Sequence, residues 1–236
     1  MRKTTVLMAM MVAALAGCVA TAPKSVPERA PAATGLPDPA ARNFIAALTA
    51  VEPVAEAYCR QRNRRANCDF QIAVDDRARQ PANAFQTRDP RGRPVLAFTL
   101  ALIADARNVN EIAFVIGHEA AHHILDHIPR VAQSARDGAL LGGILAAAGG
   151  GGADAIAEAQ RIGATVGARR FSKGFELEAD ALGAEIIEAA GFDALAGAQF
   201  FARIPDPGDR FLGSHPPNRA RLATVQRVVR GLHPPN

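Results

Sequence analysis

Apolar residues recur at helical spacing over residues 40–62, where the periodic positions are Phe44, Ile45, Leu48, Val51, Ala55 and Tyr58. This pattern predicts a helix, either continuous or divided into two at Pro53. Apolar and polar residues then alternate over 69–76, which predicts a half-buried strand, and the apolar run 93–103 contains a second strand. The sequence DPRG at 89–92 is typical of a turn between the two strands.

The remainder of the chain has mainly helical patterns. A helix capped by Asn108 or Asn110 and ending before Pro129 places four histidines on one element, namely His118, His122, His123 and His127. Residues 138–152 are rich in Gly and Ala and too short to span a membrane, so they form either a tightly packed helix or a mobile flap. Gly and Pro signals separate further helices at 153–170, 172–190, 193–203 and 217–232.

The N-terminal residues are typical of an export signal, because Arg2 and Lys3 precede an apolar run over 4–16. The following LAGC resembles the bacterial lipobox, in which cleavage leaves a lipid-bearing N-terminal Cys, here Cys18; the alternative is an ordinary secretory signal with an incidental Cys. Residues 19–39 are rich in Pro and Ala, which predicts a flexible tether. We therefore expect a signal peptide over 1–17, a lipidated Cys and tether over 18–39, and one domain over 40–236.

An exported protein matures in an oxidising space, and Cys18 is set aside for lipid. The remaining Cys59 and Cys68 are expected to form a disulfide, the alternative being two free thiols. Val19 after the lipobox, in place of the Asp that favours inner-membrane retention, points to a periplasmic protein anchored in the outer membrane.

The charge excess is small, with 27 Lys and Arg against 23 Asp and Glu. Arginines cluster at 60–65, but the chain has no Trp, few other aromatic residues and no nucleic-acid-binding motif. We expect no nucleic-acid partner.

The sequence HEAAH at 118–122 is the chain's main candidate for chemistry. Residues four apart lie on one helix face, so His118 and His122 are placed to bind one metal ion, and Glu119 beside them is placed as a general base. The pair His123 and His127 has the same spacing but lacks the adjacent Glu, so these two histidines are expected to be structural or surface groups. A match of this length can also be accidental, so a third ligand is needed.

An acid on a later helix is expected to supply that ligand. Within FELEADALGAEII at 175–187, Glu176 and Asp180 share a helix face, whereas Glu178 aligns with Glu185 toward solvent. Glu176 is therefore the candidate ligand, and Asp180 is the candidate hydrogen-bond acceptor that orients a ligand His through its second ring nitrogen.

Three motifs in this order, HEAAHH at 118–123, SKGFELEAD at 172–180 and HPPNRAR at 215–221, resemble those of a gluzincin family of zinc metallopeptidases. This family includes HtpX, the CAAX prenyl protease I and the periplasmic BepA-like and LoiP-like enzymes, which are closest in type. The resemblance implies an α+β fold, a mainly helical zincin-type domain with a small sheet beside the active-site helix. It also implies one Zn²⁺ per chain, held by His118, His122 and Glu176.

The resemblance extends to residues outside the metal motifs. It implies that His215 and Arg221 lie at the cleft as catalytic groups, although His215 can also be a turn residue before two prolines. It implies that Asn83, Ala84 and Phe85 form an edge segment beside the cleft that binds substrate, the alternative being an ordinary loop. Lys173 stands where the family usually has Arg, which changes the local hydrogen-bond geometry.

Together these features predict a zinc metalloendopeptidase of the bacterial cell envelope. Its partners are unfolded or misassembled envelope proteins as substrates and the membrane through the lipid on Cys18. The alternative is a non-catalytic or latent zinc-binding periplasmic lipoprotein that acts as a chaperone or assembly factor.

Overall fold

Helices dominate the part of the chain that the computed structural model describes, which is residues 39–77, 79–205 and 216–234, excluding the side chains of residues 170 and 171. This composition, with one small sheet, confirms the predicted α+β class. The signal peptide, Cys18, the tether up to residue 38 and His215 lie outside the described residues.

Helix α1 (Pro39–Arg62) is a single helix that continues through Pro53. One face of α1 is buried through Phe44, Ala47, Val51, Ala55 and Cys59. Its end is joined to the next segment by a disulfide between Cys59 and Cys68, whose Cα atoms are 5.7 Å apart. The predicted disulfide is therefore present in the structure.

A three-stranded sheet follows, with the order β1, β3, β2. Strands β1 (Gln71–Asp75) and β3 (Pro94–Thr99) are parallel, and β2 (Ala84–Arg88) runs antiparallel to β3 with Phe85 opposite Ala97. Strand β2 is not predicted by the alternation of apolar and polar residues. The predicted DPRG turn joins β2 to β3 and not β1 to β3, and Gly92 in this turn has φ +82°. Because β2 is at the edge of the sheet, one side of it is not paired with any strand among the described residues.

The end of the predicted second strand is helix α2 (Leu100–Asp105), capped by the Thr99 side chain. Helix α3 (Val109–Ile124) is capped by Asn108, whose side chain accepts hydrogen bonds from the backbone N–H groups of Asn110 and Glu111. Most of α3 is buried, with packing against α1, β2 and α5, so this helix forms the centre of the core.

The prediction that all four histidines share one helix is wrong. Helix α3 ends at Ile124, and His127 is the first residue of helix α4 (His127–Ala148), because Asp126 between them has a left-handed backbone with φ 54°. Pro129, before which the sequence predicts the end of a helix, lies in the first turn of α4, where a missing N–H is tolerated.

Helix α4 forms a long hairpin with α5 (Ala153–Ala189), which is one helix where the sequence predicted two. The two helices are so close that a Cβ at Gly138 would lie 2.1 Å from the Gly163 carbonyl oxygen. The glycine-rich stretch is therefore the packed helix of the two alternatives, followed by a turn over residues 149–152. Large apolar side chains on α4 remain exposed, namely Leu140, Leu141, Ile144 and Leu145.

Two short helices, α6 (Ala194–Ala198) and α7 (Phe200–Arg203), replace the single helix predicted at 193–203, and α8 (Asn218–Leu232) completes the described chain. Helix α8 packs on α5, and α6 packs on α3. Among the described helices, none has the length and apolar character needed to cross a membrane.

Candidate metal centre

His118 and His122 lie one turn apart on α3, as their spacing predicts. Their Nε2 atoms are 3.0 Å apart, and the ring of His118 is largely buried. Helix α3 is buried along most of its length, so its packing in the core fixes where the two rings lie, next to each other at the edge of the core.

Helix α5 crosses α3 beside His118, and two glycines make the crossing close. A Cβ on Gly183 would lie 3.0 Å from the His118 backbone nitrogen, and one on Gly117 would lie 2.8 Å from Ile187. This approach brings the acids of α5 to the histidines: Glu176 Oε2 is 3.5 Å from His118 Nε2, and Glu176 Oε1 is 3.5 Å from His122 Nε2.

His118, His122 and Glu176 form a group that could hold a metal ion, since one donor atom from each lies within 4.8 Å of the others. The two imidazole nitrogens are 3.0 Å apart, and each lies 3.5 Å from a different oxygen of the Glu176 carboxylate. These separations are close to those of tetrahedral zinc, in which bonds of about 2.0–2.2 Å place ligand atoms about 3.4 Å apart. Two imidazoles and one carboxylate are also a donor set typical of catalytic zinc. The structure thus brings together the three predicted ligands.

Asp180 lies behind His118, fully buried. Its Oδ1 atom is 3.0 Å from His118 Nδ1, on the ring nitrogen that faces away from Glu176. Arg221 of α8 donates two hydrogen bonds to the Asp180 carboxylate, at 2.8 and 2.7 Å, and its guanidinium lies 3.6 Å from the Phe201 ring centroid. Arg221, predicted at the cleft, lines the cavity that adjoins it together with His118 and Glu119. Its side chain is buried, and its ion pair holds the carboxylate that orients His118.

The pKa values of His118 and His122 are shifted in opposite directions. Burial disfavours the charged form of His118, but hydrogen bonds with Asp180 and Glu176 outweigh burial and raise its pKa to about 9. Burial and the neighbouring His118 lower the pKa of His122 to about 3. His118 therefore carries the proton in the metal-free site at neutral pH, and His122 is neutral.

Glu119 is buried beside the two histidines. Burial raises the pKa of Glu119 to about 7, opposed by the charge of His118 and by a hydrogen bond from the Gln86 backbone. A carboxyl group with this pKa can both accept and release a proton near neutral pH.

Strand β2 lines the cleft in which these groups meet. The cleft is bordered by Ala84, Phe85 and Gln86 of β2 and by Ile128 and Val131 of α4. Thr99 N–H donates to the Asn83 carbonyl, so the alternation of antiparallel pairing directs the backbone groups of Ala84 and Gln86 away from β3. The predicted segment is thus an edge strand at the cleft, and Asn83 lines an adjoining cavity that also reaches His118 and Glu119.

The sequence did not predict the side chains that support His122 on the side away from the metal cluster. His127 Nδ1 is 2.8 Å from His122 Nδ1, and Glu178, expected to point to solvent, contacts both His127 and Arg130. The sequence DHIP at 126–129 carried the relevant signal, since Pro in a first turn marks a helix start as well as a helix end. His123, by contrast, is buried as a structural group with Nε2 2.7 Å from the Asn67 carbonyl oxygen.

Comparison with known proteins agrees with this geometry. The model of peptidase family M48 matches residues 46–229, which include the metal cluster, Asp180 and Arg221. A protein of Vibrio cholerae serotype O1 that carries the name beta-barrel assembly-enhancing protease is 30% identical over 162 residues, 62% of this chain. The aligned part is 33% of the length of that relative, so the chain matches about a third of it. The chain belongs to peptidase family M48, whose members are metal-dependent peptidases.

Proposed function

We propose that this chain is a zinc-dependent endopeptidase of the bacterial cell envelope that hydrolyses unfolded or misassembled proteins. The observation that carries the proposal is the position of Glu119 beside the triangle of His118, His122 and Glu176, in a cleft bordered by the edge of β2. Membership of family M48 supports metal-dependent peptide hydrolysis.

In this proposal His118, His122 and Glu176 hold one zinc ion, which supplies Lewis acidity for the peptide carbonyl and lowers the pKa of water. Glu119 accepts a proton from the attacking water at a carboxylate oxygen and returns it to the leaving amine nitrogen. Asp180 keeps the His118 ring oriented, and Arg221 keeps Asp180 in place. The role of His215 stays a prediction, because it lies outside the described residues.

An extended peptide binds along β2 as an added strand in this proposal. The backbone groups of Ala84 and the carbonyl of Gln86 provide the hydrogen-bond partners of this peptide. The Gln86 N–H is not available to the peptide, because it donates to the Glu119 carboxylate. Segments that are already paired within a folded protein cannot make these bonds. The geometry therefore favours unfolded or misassembled chains as substrates.

The cellular location is proposed from the N-terminal sequence and the relative. The lipobox resemblance at Cys18 and the tether over 19–39 support a lipid anchor, and the name of the Vibrio relative supports an envelope role. Replacing Cys18 by Ala should move the protein from the membrane fraction to the soluble periplasmic fraction, as followed by immunoblotting. Unchanged membrane association would contradict the anchor.

The catalytic proposal is tested by the variant Glu119→Gln. Removal of the general base should reduce the rate of casein cleavage about a hundredfold or more, because Glu119 is the group proposed to take the proton from the attacking water. The full-length zinc-loaded protein and the variant are compared by release of labelled peptides, with zinc content measured in both.

The matched control is Glu185→Gln, an equivalent change on α5 at an ion pair with Arg62 away from the cleft. This control should cleave casein at the wild-type rate. Equal activity of the wild type and Glu119→Gln would contradict the proposal. Zinc binding without any cleavage by the wild type would favour the latent or chaperone alternative.

A further inference from the structure

His127 lies directly behind His122, on the side away from the metal cluster. Its Nδ1 atom is 2.8 Å from His122 Nδ1, and the ring centroids are 4.9 Å apart. The side chain of His127 is 3% exposed, so water does not compete for this contact. His122 therefore has a protein partner on the nitrogen that a bound metal leaves free.

The break between α3 and α4 produces this arrangement. Residues five apart on a continuous helix point about 140° away from each other, so His127 could not reach His122 if α3 continued. The left-handed Asp126 turns the chain, and its carboxylate accepts hydrogen bonds from Arg88 and Asn63 at 3.0 and 2.8 Å. Asn63 also donates to the Ile124 carbonyl at 3.2 Å, which holds the end of α3.

The second nitrogen of His127 reaches a charged pair. Its Nε2 atom is 3.3 Å from Glu178 Oε2, and Arg130 binds both oxygens of Glu178 at 2.6 and 3.2 Å. The His127 ring stacks on Phe175 at 4.7 Å with an interplanar angle of 17°, and Arg130 lies over the same ring. Each contact restricts the rotation of His127.

The metal-binding role of His122 determines the proton positions along the series of hydrogen bonds from His122 through His127 to Glu178. When Nε2 of His122 serves as a ligand, its proton is on Nδ1, which donates to Nδ1 of His127. His127 then carries its own proton on Nε2 and donates it to the Glu178 carboxylate. Both imidazoles are neutral, and the charge of Glu178 is balanced by Arg130.

Each of the two ligand histidines is thus connected to a carboxylate that is paired with an arginine. His118 contacts the carboxylate of Asp180, which is paired with Arg221. His122 reaches the carboxylate of Glu178, which is paired with Arg130, through the ring of His127. We propose that His127 and Glu178 are positioning residues that set the tautomer and ring orientation of His122 for metal binding. This inference rests on the proposed function, because it assumes that His122 is a zinc ligand.

The test measures the zinc dissociation constant of the full-length protein by competition with a chromophoric chelator. His127→Phe keeps the ring stacked on Phe175 but offers no acceptor, and it should weaken zinc binding about 10- to 100-fold. His127→Asn places an amide oxygen near the former Nδ1 and should recover most of the affinity. Glu178→Gln should show a smaller loss, and Glu185→Gln on the same helix should show none.

Two further readouts separate positioning from folding. The urea midpoint of each metal-free variant shows whether the loss exceeds any change in stability, and the visible spectrum of the Co²⁺ form reports the ligand geometry. A weaker Kd and an altered Co²⁺ spectrum for His127→Phe, both restored by His127→Asn, are the expected result. Equal zinc affinity in all variants would overturn the positioning role while leaving the peptidase proposal intact. A wild type that binds no zinc would overturn both.

Discussion

Three contacts fix the position of His118. One ring nitrogen faces Glu176, the other faces Asp180, and the backbone touches Gly183. The ring is held in one orientation before any metal binds, so little conformational freedom is lost on binding. At the residue scale, the site is therefore preorganised around His118.

Metal uptake by the free protein should release a proton. The pKa of His118 is raised to about 9, so His118 is protonated at pH 8, whereas zinc binds only the neutral imidazole. The apparent zinc affinity should rise with pH up to about 9 and then level off. Calorimetric titration at pH 8 in buffers of different ionisation enthalpy measures the protons released, and a value of zero would contradict this expectation.

Asp180→Asn should lower both the stability and the metal affinity. The change removes the carboxylate that pairs with buried Arg221, and breaking such a pair destabilises a protein by about 3–5 kcal/mol. Zinc affinity should fall about 10- to 100-fold, because the orientation of His118 is lost. Proton release at pH 8 should also shrink, since a hydrogen bond that raises the His118 pKa is gone. Urea unfolding and chelator competition measure the first two effects.

At the element scale, α3 and α5 contact each other at a glycine of each helix. The glycines at 117 and 183 allow the backbones to touch, and the acids of α5 reach the histidines of α3 as a result. The sequence predicted which face of α5 carries Glu176 and Asp180, because that follows from helical spacing alone. It did not predict the close crossing, which depends on two segments far apart in the chain.

Gly183→Ala tests the crossing. The added Cβ would lie 3.0 Å from the His118 nitrogen and 3.1 Å from its Cα, so the helices must separate, at about 1–3 kcal/mol of stability and with weaker zinc binding. The matched control is Gly174→Ala on the same helix, where nothing lies within 4 Å. This control should stabilise the protein by about 1 kcal/mol. Thermal unfolding that ranks the two variants in the opposite order would argue against the packing explanation.

For the whole molecule, the disulfide connects α1 to the segment that leads into the sheet. Cys59 is buried in α1, and Asn67, next to Cys68, contacts His123 at the back of α3. The disulfide joins α1 to the segment before the sheet, and the Asn67 contact joins that segment to the metal-bearing helix α3. Neither cysteine lines the cleft or its adjoining cavity, which indicates a role in stability and not in chemistry.

Loss of this disulfide should destabilise the domain without changing its zinc affinity. Closing a loop with a sequence separation of 9 contributes about 2–3 kcal/mol through the entropy of the unfolded chain. The double variant Cys59→Ala and Cys68→Ala should lower the urea midpoint accordingly, as followed by circular dichroism. Reductant should lower the wild-type midpoint by a similar amount and leave the double variant unchanged; a further fall in the double variant would point to another cause.

The sequence by itself determined the candidate ligand set, and its resemblance to a peptidase family implied the class of fold. His118, His122, Glu119, Glu176 and Asp180 could be assigned because helical spacing is local, so residues four apart share a face wherever the helix lies. The edge strand β2 was suggested only by family resemblance, since its short alternation is weak beside the stronger patterns around it. The family match over residues 46–229 spans all of these residues.

Only the tertiary structure decided how the ligands are supported. The break at Asp126 depends on Arg88 and Asn63 from other elements, and it alone places His127 behind His122. The pairing of Arg221 with Asp180 likewise joins two helices. Such contacts arise from packing between segments distant in sequence, and helical periodicity contains no information about which segments meet.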